Sequence, residues 1–218
     1  DSQLFVTRLA AWCVEYAGVR FAFDTTVTGL DVEGTKVRAV TTSKGPMPCD
    51  AVVVSLGPES GVFGAHVGID LPVYPVKGYT ATVPLSDPAR GPTMGGVDED
   101  RLIAYSRLGD RLWLAYKAEL AGFDRSYRPA DFANLFRTAR ELFPGAFDEA
   151  QAELWAGLRP MMPNSVPVHG RAKYDNLFLD TGHGHVGWTM SCGSGKFVAD
   201  LVAGRRPEID TEGLLYEG

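Results

Sequence analysis

Thr181-Gly182-His183-Gly184-His185-Val186-Gly187-Trp188-Thr189-Met190-Ser191-Cys192-Gly193-Ser194-Gly195 is the stretch whose reading decides the fold. It follows Asn176-Leu177-Phe178-Leu179-Asp180, which reads as a short strand, and precedes Lys196 to Ala203, whose spacing predicts a helix that stops at Gly204. Five glycines in fourteen residues let backbone approach a ligand closely. A helix start behind Gly193-Ser194-Gly195 aims free N–H groups and positive dipole at whatever lies there, so an electron-rich group is expected at this turn.

Gly182, Gly184 and Gly187 also satisfy the glycine spacing of a dinucleotide fingerprint. That motif needs a βαβ unit and an acidic residue ending a second strand, and no apolar strand follows Gly195. The plainer alternative is a glycine-rich surface turn.

Composition bounds the rest. At 218 residues and 45% hydrophobic content the chain can bury a real core, as one large domain or two small ones. Aromatic residues make up 11%, and the chain has no low-complexity run, which argues against disorder. The net charge of −6 is spread without a basic block, so nucleic acid is not an expected partner. No apolar run reaches the ~18 residues of a membrane span and no signal-peptide pattern opens the chain, which reads as soluble and intracellular. Cys13, Cys49 and Cys192 are odd in number and far apart, so neither a disulfide framework nor a metal site is expected, and Cys13 reads as a small core residue.

In order along the chain, Ser2 to Ala17 carries apolar side chains at Phe5, Leu9, Cys13 and Ala17, an amphipathic helix expected to pack on a sheet. Val19 to Phe23 reads as a strand, and Thr25 to Leu30 and Lys36 to Thr42 form a hairpin about Glu33-Gly34. Asp50 to Gly57 has an unbroken apolar core, which predicts a strand buried on both faces and ending in a glycine turn. A helix leading directly into these strands lacks a first βαβ unit, so residues before Asp1 are expected in the natural protein.

From Leu71 the texture changes. Val76 to Val83, Arg101 to Arg107 and Arg111 to Lys117 read as antiparallel strands, the last two joined through Leu108-Gly109-Asp110. Tyr79, Tyr105, Trp113 and Tyr116 lie on them, and one face of such a sheet often walls a pocket. Pro129 to Phe143 reads as a helix over the other face, closed by Pro144-Gly145. Glu153 to Leu158 is a further strand, which sets Arg159 where strand meets proline-stiffened loop. A guanidinium held still there can grip a carboxylate in two-point fashion; an internal salt bridge is the other reading.

These segments, in this order, resemble the D-amino-acid oxidase-like, FAD-dependent oxidoreductases over their C-terminal half. The residues that carry the resemblance are Gly18-Val19 with Phe21 and Phe23, Thr26-Val27, Val52-Val53-Val54-Ser55-Leu56-Gly57, Tyr74-Pro75-Val76-Lys77-Gly78-Tyr79, Gly157-Leu158-Arg159-Pro160, and the Gly182 to Gly195 turn. The resemblance implies a mixed α/β fold: residues 1-70 and 159-218 as the remaining, discontinuous part of a Rossmann-like FAD-binding domain, and 71-158 as an antiparallel substrate domain with a covering helix. The family's N-terminal strand, dinucleotide fingerprint and ribose acid lie outside this sequence.

By the same resemblance the cofactor is FAD, contacted by Val27 at the adenine, by Ser55, Leu56 and Gly57 near the phosphate or ribityl chain, and by Gly182, His183, Gly184, Gly187, Trp188 and Thr189 at the isoalloxazine. Arg159 would hold a substrate carboxylate, with Tyr79, Tyr105 and His185 as further candidates; some relatives carry an arginine where this chain has His185. The implied activity is oxidation of D-amino acids to 2-oxo acids and ammonia, with electrons passed to a respiratory acceptor at the inner face of the bacterial inner membrane through peripheral association. An oxygen-using amine oxidase of the glycine or sarcosine oxidase kind, and a fragment that holds no cofactor, are the alternatives.

Overall fold

A computed structural model describes residues 1–217. The elements are α1 (Ser2–Ala17), β1 (Val27–Glu33), β2 (Lys36–Thr42), β3 (Gly45–Pro48), β4 (Val52–Val54), α2 (Ser60–Val67), β5 (Tyr74–Pro84), β6 (Gly96–Asp98), β7 (Ile103–Leu108), β8 (Arg111–Glu119), α3 (Ala133–Leu142), β9 (Glu153–Met161), β10 (Val168–Arg171), β11 (Leu177–Thr181) and α4 (Gly187–Val202). They build three sheets: antiparallel β1-β2-β3, mixed β10-β11-β4, and antiparallel β6-β7-β8-β5-β9.

The five-stranded sheet obeys period-2 alternation. Tyr79, Ala81 and Val83 of β5, Leu112 and Leu114 of β8, Ile103 of β7 and Ala156 of β9 face one side and are buried with Phe132, Leu135, Phe136 and Ala139 from the α3 region. Pro129 opens a single 3₁₀ turn, Pro129–Phe132, and the α-helix proper follows, so the expected helix is present but two-part. The β7–β8 connection is the expected hairpin, with Leu108 paired to Arg111 and Gly109 at φ 67°.

A second core joins β2, β4, β11 and the segment after α2 through Val37, Val54, Ile69, Leu71, Val73, Met162, Leu177 and Leu179. β11 runs parallel to β4, with Leu177 opposite Val52 and Leu179 opposite Val54, so distant parts of the sequence share one sheet. Asn176 ties these strands to the first sheet: its Oδ1 accepts from Val37 N–H at 2.9 Å, and its Nδ2 donates to the carbonyls of Val37 and Asp50, each at 2.8 Å.

Several expectations are corrected. Val19 to Phe23 is coil and turn: no neighbouring strand supplies ladder hydrogen bonds, and Phe21 and Phe23 stack on each other with ring centroids 5.7 Å apart. The strand over 50–57 shrinks to Val52–Val54, and it lies at a sheet edge with Val54 buried but Val53 43% exposed, so it is not covered on both faces. α1 buries none of its residues and does not pack on a sheet; it touches the rest through a Phe5–Trp188 edge contact and an Asp1–Arg111 ion pair. Cys13, on that helix, is therefore half-exposed and not a core residue. β9 runs on to Met161, which places Arg159 inside a strand and not at its end.

Leu114 has no solvent exposure and sits mid-sheet beneath α3. Leu114→Ala is expected to lower the free energy of unfolding by about 2–5 kcal/mol, from lost transfer energy plus a residual cavity. Urea denaturation measures it, and a loss below about 1 kcal/mol would show that this side of the sheet is not a close-packed core.

Candidate functional site

Among the described residues no helix covers the opposite face of the five-stranded sheet, which walls a cavity of about 710 Å³. Gly78 and Thr80 of β5, Ser106 of β7, Trp113 and Ala115 of β8 and Trp155, Gly157 and Arg159 of β9 line it, and Gly184, His185 and Trp188 border it from the turn between β11 and α4. The same alternation that buries Tyr79 under α3 presents its neighbours Gly78 and Thr80 to this cavity.

Arg159 is the charged centre of the wall. Its guanidinium lies flat over Gly78, so close that a Cβ on Gly78 would stand 2.4 Å from its Cζ. Opposite Gly78 the ladder slips: Lys77 pairs with Glu119 and Tyr79 with Tyr116, which leaves Lys117 and Ala118 facing a single residue. This is a β-bulge, with Lys117 at φ 64°, and its carbonyl accepts from Arg159 Nη1 at 3.0 Å. Among the described residues no carboxylate pairs with Arg159, so the internal salt-bridge reading does not hold. Burial lowers the pKa of the group from its ordinary value, yet a guanidinium remains charged near neutrality. The remaining N–H donors of a half-buried, unpaired cation are thus available to an anion.

The turn after β11 is held against β9. Gly184 N–H donates to Pro160 O at 2.9 Å, and His183 bridges to Met161. Gly182 and Gly184 take φ of 78° and 58°, a region open to glycine without strain. α4 begins at Gly187, with Val186 at the cap position and no side-chain cap. The first-turn N–H groups of Gly187, Trp188 and Thr189 are therefore the orphan donors. This corrects the expected helix start behind Gly193-Ser194-Gly195: both glycines lie mid-helix, where each costs about 1 kcal/mol relative to alanine, too little to break a helix anchored by buried Ser194, Phe197 and Val198.

His183 turns inward. Its Nε2 is 3.0 Å from Ser194 Oγ and 3.3 Å from Asp180 Oδ1, and His169 Nδ1 approaches the same carboxylate oxygen at 3.1 Å. Neither imidazole meets Asp180 Oδ1 in hydrogen-bond geometry, which leaves His169 Nδ1 and Asp180 Oδ1 buried without a hydrogen-bonding partner among the described residues. Burial alone would raise the Asp180 carboxyl, but the two imidazoles outweigh it and hold that group well below the usual carboxylate range. No signal in the sequence marked this trio, because His169 comes from β10 and meets Asp180 only by strand pairing.

A second cavity, of about 770 Å³, is lined by Thr25 to Thr28, Leu56, Glu59, Val62, Phe63, His66 and Phe123. It brings Val27 and Leu56 together. Ser55 and Gly57 flank Leu56 at the end of β4, and Thr181 Oγ1 reaches both Ser60 Oγ at 2.7 Å and Gly57 O at 3.4 Å. The ends of β4 and β11, two parallel neighbours, thus open side by side, the usual position for a ligand in an α/β sheet.

Of the expected substrate residues, Arg159 and His185 share the first cavity, whereas Tyr79 and Tyr105 do not. Tyr79 is buried edge-to-face on Phe132, with its hydroxyl donating to Glu119 Oε2 at 2.7 Å, and Tyr105 packs on Phe143. Both lie on the α3 face, away from this cavity. The aromatic residues of the sheet that do face it are Trp113 and Trp155, and Trp188 adds a third from the turn. Trp155 was legible in principle, since it stands four residues before Arg159 and so on the same face of the strand.

With this geometry in place, the sequence matches the family described as FAD dependent oxidoreductase over residues 1–201, and the chain belongs to that family. Among curated relatives, D-amino acid dehydrogenase 2 of Mesorhizobium japonicum is 70% identical over 218 residues, all of this chain and 52% of that protein. The D-amino acid dehydrogenase of Agrobacterium fabrum is 45% identical over 98% of this chain and 51% of its own length. The chain thus spans about half the length of the curated relatives it matches. Among solved structures, glycine oxidase from Geobacillus kaustophilus superposes with a TM-score of 0.80 at 26% identity, covering 94% of this chain and 55% of that one. L-proline dehydrogenase from P. horikoshii, also at 0.80 but 20% identical, covers 92% and 55% and shares the fold.

Asp180 supplies a pH-dependent prediction. An unfolded Asp titrates near ~3.9, and the folded carboxyl titrates lower. Its stabilisation is therefore complete above that value and is lost as pH falls toward the folded value. Asp180→Asn is expected to cost about 1–2 kcal/mol at pH 7, with the gap to the parent narrowing by pH 3. Denaturant titrations at both pH values measure it; an equal gap at pH 7 and pH 3 would show that the carboxylate charge does no stabilising.

Proposed function

We propose that this chain supplies the substrate wall and part of the FAD site of an enzyme that oxidises D-amino acids to 2-oxo acids and ammonia. The observation that carries the reading is Arg159: a half-buried cation with no carboxylate partner among the described residues, lying on Gly78 at the floor of a cavity that faces the β11–α4 turn. The names of the two dehydrogenase relatives agree with it. Residues 1-70 and 159-218 are proposed to form the cofactor side and 71-158 the substrate side; the two separate cores support such a division, with Leu71 and Val73 in the second core and β9 carrying Arg159 to Met161 on the substrate sheet.

The residues present fit FAD. An uncapped helix start at Gly187, Trp188 and Thr189 suits the electron-rich edge of an isoalloxazine, Gly182, His183 and Gly184 present backbone along the same turn, and the cavity at Val27 and Leu56, with Ser55 and Gly57 beside it, suits the adenosine and phosphate end. When bound, FAD supplies the two-electron acceptor for the substrate Cα–H. The chain's own residues do the rest. Arg159 takes the carboxylate on two N–H groups and so helps fix the direction in which the single Cα–H points. Lys117 O orients the guanidinium. Trp188 and His185 close the rim and exclude water. No imidazole is needed as a base if the amine arrives unprotonated, and His183 Nε2 is already engaged by Ser194 Oγ. Electrons are proposed to pass on to a respiratory acceptor at the membrane. Among the described residues no helix is long and apolar enough to cross a membrane, so peripheral contact is the form this would take.

The full-length protein, assayed with D-alanine and an electron-accepting dye, is expected to release pyruvate, and release with oxygen alone would favour the oxidase alternative. Arg159→Lys keeps the charge but loses the fork. A fall in kcat/KM of roughly ten- to a hundred-fold is expected, equivalent to ~1.5–3 kcal/mol, with flavin content and melting temperature unchanged. An unchanged kcat/KM with a lowered melting temperature would remove Arg159 from the site.

A further inference from the structure

Strands β10 and β11 and the turn after them bring three side chains to one point. His169 and Asp180 are direct cross-strand partners in the antiparallel β10–β11 pair, so their side chains leave the same face of the sheet. His183 comes back to them because Gly182 and Gly184, at φ 78° and 58°, turn the chain just after Asp180. Asp180 Oδ1 stands 3.1 Å from His169 Nδ1 and 3.3 Å from His183 Nε2, and one donor atom from each residue lies within 4.8 Å of the other two. Ring packing holds the imidazoles: His169 meets both His183 and Phe197 edge-on, each at a centroid distance of 5.2 Å. His169 is 3% exposed, and its Nδ1 and Asp180 Oδ1 lack a hydrogen-bond partner among the described residues. Two complementary buried atoms 3.1 Å apart that do not hydrogen-bond each other are an exception to the rule that buried polar groups find partners. A cation shared between them satisfies both.

We infer that His169, Asp180 and His183 form a binding site for a divalent transition-metal ion, and the donor chemistry selects zinc. Ligand atoms ~2.0–2.1 Å from a tetrahedral zinc ion stand roughly 3.3–3.4 Å apart. The two separations from Asp180 Oδ1 are therefore close to those of neighbouring ligands on one ion. Two imidazoles and one carboxylate, without a thiolate, suit zinc better than calcium or magnesium, which take oxygen shells. Three protein ligands leave a fourth position. A cavity of about 400 Å³ reaches Asp180, His183 and Ser194 and opens that position to water. Ser194 Oγ, 3.0 Å from His183 Nε2, is the other candidate for it, since the ion displaces the hydrogen bond between them. The ion links β10, β11 and the glycine turn through one centre, a structural tie that holds the turn against the sheet. The site stands independently of the carboxylate role of Arg159.

The test uses the full-length holoenzyme without a histidine tag, stripped with EDTA, dialysed and titrated with zinc chloride by calorimetry. One equivalent per chain is expected to bind with a Kd below about 1 µM, the scale of a preformed structural site. His169→Val and Asp180→Asn are each expected to weaken binding by at least about tenfold. His185→Ala, which alters an imidazole outside the trio, is expected to leave the affinity unchanged. Zinc K-edge X-ray absorption of the zinc-loaded parent needs no variant to fold, and it is expected to show two imidazoles with oxygen as the remaining ligands. Absence of stoichiometric binding, equal affinity in the parent and both trio variants, or loss of the site in His185→Ala instead would overturn the inference. So would an absorption spectrum that shows sulfur or fewer than two imidazoles, and the trio would then be an imidazole–carboxylate cluster alone.

Discussion

The contact on which the site depends is the guanidinium of Arg159 lying on the bare backbone of Gly78. A cation in a half-buried wall is stable only if its donors are satisfied or its solvent is kept. Here one donor is satisfied by Lys117 O, and that carbonyl points the right way only because the β5–β8 ladder carries an extra residue opposite Gly78. Three strands therefore cooperate in one placement: β9 supplies the arginine, β5 the space, and β8 the bulge that holds the fork still. The bulge, with Lys117 at φ 64°, is the local irregularity that places the guanidinium.

The two faces of that sheet divide labour by a period of two. The α3 face collects Tyr79, Leu112, Leu114 and Ala156 into a dry core, and the same strands, one residue out of step, collect Gly78, Thr80, Ala115 and Arg159 at the cavity. Rigidity for the second set comes from burial of the first. Next to Tyr79, Lys77 is buried with its ammonium paired to Asp124 at 3.1 Å, which ties the loop after β8 to the sheet on the core side. The site itself faces the β11–α4 turn, where backbone donors replace side chains. A cation on one wall and an uncapped helix start on the other make a cavity suited to two anionic or electron-rich partners at once.

The amino-acid sequence by itself determined the hairpin at Gly109 and the helix over the sheet, and it marked Arg159 and the glycine turn as candidates, because period, turn chemistry and charge are local properties. It also carried the family resemblance that the comparison over residues 1–201 shows. Only the tertiary structure decided which aromatic residues reach the cavity. Tyr79 and Trp113 lie on paired strands, yet a one-residue difference in phase sends one to the core and the other to the site, and phase is set by partners far away in sequence. The structure likewise decided that α4 begins at Gly187, since burial of Phe197 and Val198 outweighs two mid-helix glycines. It brought His169 to Asp180 by pairing β10 with β11, and among the described residues it left Arg159 without a carboxylate partner, because what surrounds a side chain follows from how strands are paired and not from the residues beside it in the chain.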